Sequence, residues 1–157
     1  MERQVSVSFH FLKIYMNASV SPPRCHPNEL SDQAKFNQFI ERYLAHGFGD
    51  AMHFPGRLKE STDVDTNDRQ FVAKVQFARK HMLWHYHIGI PCYDSVSLGN
   101  RGDWLSAYVL NFQRFSDHKI KLVDLNSHPP FELPRDNHLE GEIAIPGGNT
   151  RHLKVVK

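Results

Sequence analysis

Three histidines fall within fifteen residues, His81, His85 and His87 in KHMLWHYHIGIPCYD (80–94). His85 and His87 are two residues apart, so in an extended chain both project to one side. Such a pair suits a metal site, an acid/base site or a half-solvated sheet face. Imidazole serves either proton role because its unperturbed pKa, about 6.5, lies near working pH. A third histidine, His128 in DLNSHPPFELP, is biased toward an extended conformation by Pro129 and so is held at a strand exit. Lys74, Gln76, Arg79 and Arg114 complete a basic, polar set on the elements around the pair. The chemistry this set fits is cleavage of RNA by its own 2′-hydroxyl, which needs a base, an acid and cations for the charged phosphorane, and no metal or other cofactor.

Each of these residues also has a plainer reading. His85 and His87 suit a solvated sheet face, His128 a loop, and the Lys and Arg residues solubility. Trp84, Tyr86 and Trp104 read as core or rim aromatics. His10, His26, His46, His53, His138 and His152 show no partner pattern and read as surface.

The elements that position these residues follow from periodicity. Val5, Val7, Phe9 and Phe11 alternate, predicting a strand over 5–16. Leu30, Ala34, Phe36, Phe39, Ile40, Tyr43 and Leu44 recur at helical spacing, predicting a helix over 29–46 with Ser31 or Asp32 as cap and Gly47 as stop. A turn and a short second helix follow, then a polar loop over 61–68. Alternation over 71–79 and 83–90 predicts two strands joined by a hairpin at RKHM, with Lys74 and Gln76 on the same face as His85 and His87. Further strands are expected over 104–115 and 119–125. Depending on register, the third strand adds Asn111 and Gln113, or Tyr108 and Arg114, to the histidine face. The fold class is α+β: an N-terminal strand, one or two helices, then a twisted antiparallel sheet of about four strands. Residues 132–157 form a C-terminal extension to which the pattern assigns only a strand at EGEIAIP.

With 157 residues the chain suits one domain, able to bury roughly 70% of its unfolded surface. At 40% hydrophobic and 23% charged it has the material for a core, so intrinsic disorder is not the default. A net charge of +2 makes no demand for nucleic acid. Cys25 and Cys92, without a secretory leader, are expected to remain thiols in a cytoplasmic protein, and VSVSFHFLKIYM is too short and polar to span a membrane.

The order of elements, with FNQFIERYLAHGFGDAMHFPGRLKES, VQFARKHMLWHYHIG and IKLVDLNSHPPF, resembles the YafO-like toxins of bacterial type II toxin–antitoxin systems, which have the RelE/ParE fold. The resemblance covers roughly residues 5–131, giving a toxin domain over 1–131. It implies a ribonuclease that cuts messenger RNA on the translating ribosome without a cofactor and is silenced by a cognate antitoxin protein. It further implies catalytic groups at Lys74, His85, His87 and His128, and substrate contacts at Gln76, Arg79, Arg114 and Phe131. The chain is less basic than many such toxins.

Two other classes compete. A cupin-like metal-binding barrel would use His85 and His87 with Asp94 and a distant His152, but lacks the expected glutamate after the pair. A non-catalytic module on the toxin scaffold, such as a gyrase-blocking ParE-like protein, would bind its partner without cutting RNA.

Overall fold

The computed structural model describes residues 2–18, 25, 29–128 and 132–145. Strand β1 (Gln4–Val7) buries Val5 and Val7 and stops there because Ser8 caps the helix that follows. Ser8 Oγ accepts from the Phe11 amide at 3.1 Å, and its carbonyl accepts from Leu12 N–H at 3.0 Å. Helix α1 (Phe9–Ala18) then buries Phe11, Tyr15 and Ala18, spaced by four and three. The strand expected over 5–16 is therefore strand only to Val7. The alternation that Phe9 and Phe11 seemed to continue belongs to the first turn of a helix.

Helix α2 (Asp32–His46) matches its signals. Ser31 Oγ accepts from the Ala34 amide, and Gly47, at φ 69°, donates its N–H to the Tyr43 carbonyl. The next segment turns without a second helix and gives only a short strand, β2 (Leu58–Glu60). After the polar loop, residues 71–79 lie in helix α3 (Phe71–Lys80), correcting the strand and hairpin expected there. Phe71, Val75 and Ala78 satisfy helical spacing as well as Phe71, Ala73, Val75 and Phe77 satisfy alternation. Local contacts decide the outcome. The Asp68 carbonyl accepts from Phe71 N–H, its carboxylate accepts from Lys74 Nζ at 2.6 Å, and Arg79 and Lys80 complement the helix C-terminus.

Strands β3 (Leu83–Tyr93), β4 (Ser106–Ser116) and β5 (Lys119–Ser127) form the antiparallel meander, and β6 (Ile143–Ile145) comes from the C-terminal extension. The sheet order is β2-β3-β4-β5-β1-β6, with β1 parallel to β5 and every other pair antiparallel. The result is α+β with six mixed strands, in place of about four antiparallel ones.

Helices α1 and α2 cover one face. Phe39 of α2 sits among Phe48, Phe54, Tyr86 and Phe112 with ring centroids 5.3–5.9 Å away. The other face carries a smaller cluster of Ala78, Leu83, Val123 and Leu139 under α3 and the 3-10 turn Asp136–Leu139. Among the described residues, no helix is long and apolar enough to cross a membrane. Cys25 and Cys92 are paired as a disulfide with Cα atoms 6.2 Å apart, which corrects the expectation of two thiols. The fold brings Cys25 against Cys92 at the far end of β3, a proximity across 67 residues that spacing does not reveal.

Phe39→Ala removes the ring on which the larger core converges. It should cost about 3–5 kcal/mol in urea unfolding, and a loss under about 1 kcal/mol would contradict this packing.

Candidate active site

Along β3, Tyr86 and Ile88 enter the helix-covered core, so His85 and His87 emerge on the opposite face, as alternation requires. In register, His85 faces Asn111, Leu83 faces Gln113 and His87 faces Val109, which puts Asn111 and Gln113 on the histidine side. The face is not open. His85 is 3% and His87 4% exposed, and the loop that carries Asp63, Val64 and Asp65 lines the same cavity.

Each imidazole is anchored through Nδ1. His85 Nδ1 lies 2.9 Å from the hydroxyl of buried Ser61. His87 Nδ1 meets the main chain of Ser106, 3.0 Å from its amide and 2.9 Å from its carbonyl. His128 follows the last residue of β5, its amide donating to the Ala107 carbonyl at 2.7 Å. Its ring centroid is 5.7 Å from that of His85 and 5.3 Å from that of His87, and those two are 6.4 Å apart. His85, His87 and His128 line one cavity of about 250 Å³ with Arg57, Lys59, Asp63, Asp65 and Asp68, whereas His81 caps the C-terminus of α3 away from it.

Arg57 and Lys59 are the cations that sequence reasoning missed. Lys59 on β2 is the direct cross-strand partner of His85, and the Arg57 carbonyl accepts from the His87 amide at 3.0 Å. Gly56 permits this approach, because a Cβ there would collide with the His87 carbonyl oxygen. Arg57 Nε donates to Asp103 at 2.6 Å and Lys59 Nζ to Asp63 at 2.9 Å. Hydrogen bonding from these cations holds both carboxyls below their usual range. The available signal was the period-two spacing of Arg57 and Lys59 directly after Pro55-Gly56.

The other expected residues lie elsewhere. Lys74, ion-paired with Asp68, and Gln76, exposed, are on α3; Lys74 lines a separate groove with Phe77 and Leu133. They do not share the sheet face of His85 and His87, because 71–79 is helical. Arg79 is exposed in the last turn of α3. Arg114 is on the opposite face of the sheet, its guanidinium 4.5 Å above Trp84 and 5.1 Å above Phe48, and it pairs with Asp117. Pro129, Phe131 and His152 lie outside the described residues.

Burial pushes the His85 imidazole down to about 3, aided by the neighbouring positive charges of His128, His87 and Lys59. Burial also takes His87 down to about 4 against an opposing hydrogen bond to Ser106, and it lowers His128. At neutral pH His85 and His87 are therefore neutral, able to accept a proton or ligate a metal. As they stand the rings are spaced around a gap. Among the described residues, the group of three His, Cys, Asp or Glu donors within 4.8 Å of one another is a different one, His10, Asp124 and His138. An open sheet with edge strands β2 and β6 is also not a closed barrel. No protein-family model, curated protein or solved structure matches this chain.

Between about pH 6.5 and pH 4 the unfolded chain protonates imidazoles that the folded chain keeps neutral, so stability falls as pH falls through this window. The urea midpoint should drop from pH 7 to pH 4 in the wild type and drop less in His85→Gln. Equal pH dependence in the two proteins would show that His85 is not held neutral.

Proposed function

We propose that this chain is an endoribonuclease toxin that cleaves messenger RNA, acting on translating ribosomes and silenced by a cognate antitoxin. The observation that carries the reading is the convergence of His85, His87 and His128 in one cavity rimmed by Arg57 and Lys59. The accessible members of the cavity are His128, Arg57 and Lys59 together with Asp63, Asp65 and Asp68, so an entering phosphodiester reaches the two cations and the imidazole alongside three carboxylates.

Neutral His87, held by Ser106, takes the 2′-hydroxyl proton as that oxygen attacks phosphorus. The bond from phosphorus to the 5′ oxygen breaks, and His128 returns a proton to the leaving oxygen. A docked phosphate anion favours the protonated forms of both His87 and His128, offsetting the burial that disfavours them in the free protein. Arg57 and Lys59 stabilise the charge that builds on the non-bridging oxygens. The products are a 2′,3′-cyclic phosphate and a 5′-hydroxyl, and no cofactor enters the balance. The resemblance to toxins of the RelE/ParE fold supports the choice of messenger RNA. Gln76, Arg79 and Arg114 lie away from this cavity, and Lys74 meets its wall through the ion pair with Asp68.

Expressed alone, the wild type should arrest growth and leave message ends carrying 2′,3′-cyclic phosphates. Arg57→Ala should slow cleavage about a hundredfold, equivalent to about 3 kcal/mol, and His128→Ala by about 10²–10⁴-fold. Arg114→Ala, on the opposite face, should cut normally. Intact messages in arrested cells would instead favour the non-catalytic module, and harmless expression with intact messages on ribosomes in vitro would sink the ribonuclease reading.

A further inference from the structure

A second cluster of ligand-type side chains lies outside the cavity. Asp124 is 4% exposed, a carboxylate inside the protein, and its ion-pair partners among the described residues are two histidines. His10 Nε2 is 3.0 Å from Oδ1, and His138 Nδ1 is 3.0 Å from Oδ2. The two imidazoles stack with centroids 3.6 Å apart. Leu125 N–H donates to Oδ1 at 2.8 Å. No Lys or Arg pairs with this buried carboxylate among the described residues.

Three separate elements build the cluster. His10 is in the first turn of α1, fixed by the Ser8 cap. Asp124 sits at a bulge in β5, where Asn111 faces Asp124 but Phe112 faces Leu122, leaving Val123 as the extra residue. A bulge re-aims a side chain that regular alternation would turn away. His138 is in the 3-10 turn Asp136–Leu139, tied to the sheet by Lys121 Nζ donating to the Leu139 carbonyl at 2.6 Å and by burial of Leu139. Nothing in the pattern of the sequence links positions 10, 124 and 138, which is why His10 and His138 read there as surface residues.

We propose that His10, Asp124 and His138 form a binding site for one late first-row divalent metal ion of the zinc class. The three donor atoms lie within 4.8 Å of one another. Ligands of a tetrahedral ion, about 2.0–2.2 Å from it, stand roughly 3.3 Å apart, so the hydrogen-bonded cluster becomes a coordination shell once one imidazole turns out of the stack to aim its nitrogen at the ion. Two imidazoles and one carboxylate favour Zn²⁺, Co²⁺ or Ni²⁺ over Mg²⁺ or Ca²⁺, which take oxygen donors. His10 and His138 are partly exposed, which gives the ion its entry and leaves a position for water. The ion joins α1, β5 and the C-terminal extension, and it is separate from the three-imidazole cavity. The sequence leads us to expect no stoichiometric metal on the purified chain, an expectation resting on the ligand count at His85 and His87, and the proposal departs from it.

The test uses metal-free full-length protein titrated with Zn²⁺ and, for its spectrum, Co²⁺. One ion per chain should bind and raise the melting temperature. His10→Gln and His138→Gln should each weaken binding at least about tenfold, while His128→Gln should leave it unchanged. X-ray absorption on the wild-type Zn²⁺ complex should show two imidazoles and oxygen donors, a readout that needs no variant. Absence of stoichiometric binding, a shell of three imidazoles, or loss of the ion in His128→Gln but not in His10→Gln would overturn the proposal. RNA plays no part in these measurements, so their failure leaves the ribonuclease reading standing, and the reverse also holds.

Discussion

The candidate site depends on which way the side chains of β3 point. Tyr86 and Ile88 are committed to the aromatic core beneath α2, and a slip of one residue would bury His85 and His87 there and turn Tyr86 toward solvent. The tyrosine also acts beyond its own face: its hydroxyl accepts from the Gly56 amide at 3.0 Å, helping hold β2 against β3. Packing on one side of the sheet thereby places the Arg57 and Lys59 cations on the other. The hydrophobic core sets the register, and the register assembles the charges.

The same burial that orients the imidazoles strips them of protons. His85 and His87 are surrounded by positive neighbours, and an unoccupied proton is the cheaper state for both. The neutral bases stand beside two cations already paired with carboxylates, and with Asp65 and Asp68 also on the wall a docked phosphate shares Arg57 and Lys59 with these acids. Asp103 and Asp63 hold Arg57 and Lys59 in place, so little side-chain freedom is left to lose when such an anion arrives.

Much of the site was legible because its histidines report geometry directly. Two imidazoles at i and i+2 between Trp84, Tyr86 and Ile88 specify a face, and His128 before Pro129 specifies an exit. The basic residues were harder to place. Lys74 and Gln76 went to the wrong element because FVAKVQFARK satisfies both periods, and the deciding interactions come from Asp68, outside the run. Arg57 and Lys59 were missed because a three-residue edge strand is too short for their period-two spacing to stand out. The metal-ligand geometry of His10, Asp124 and His138 and the Cys25–Cys92 pair depend on contacts between distant segments, which local pattern does not encode. Helix α2, with both ends marked by Ser31 and Gly47, needed no such long-range information.

The placement of β1 inside the sheet bears on how the chain reaches this structure. Its neighbours are β5, beginning at Lys119, and β6, ending at Ile145, so both of its edges are satisfied by segments made more than a hundred residues later. During synthesis β1 emerges early and waits with its backbone groups solvated, while the β3-β4-β5 meander can pair locally as it appears. Seating β1 then closes a very long loop, a step whose entropy cost must be met before the last pairings reward it. The fold is completed from its far end, and a nascent chain halted before β6 presents an unprotected strand edge to its neighbours.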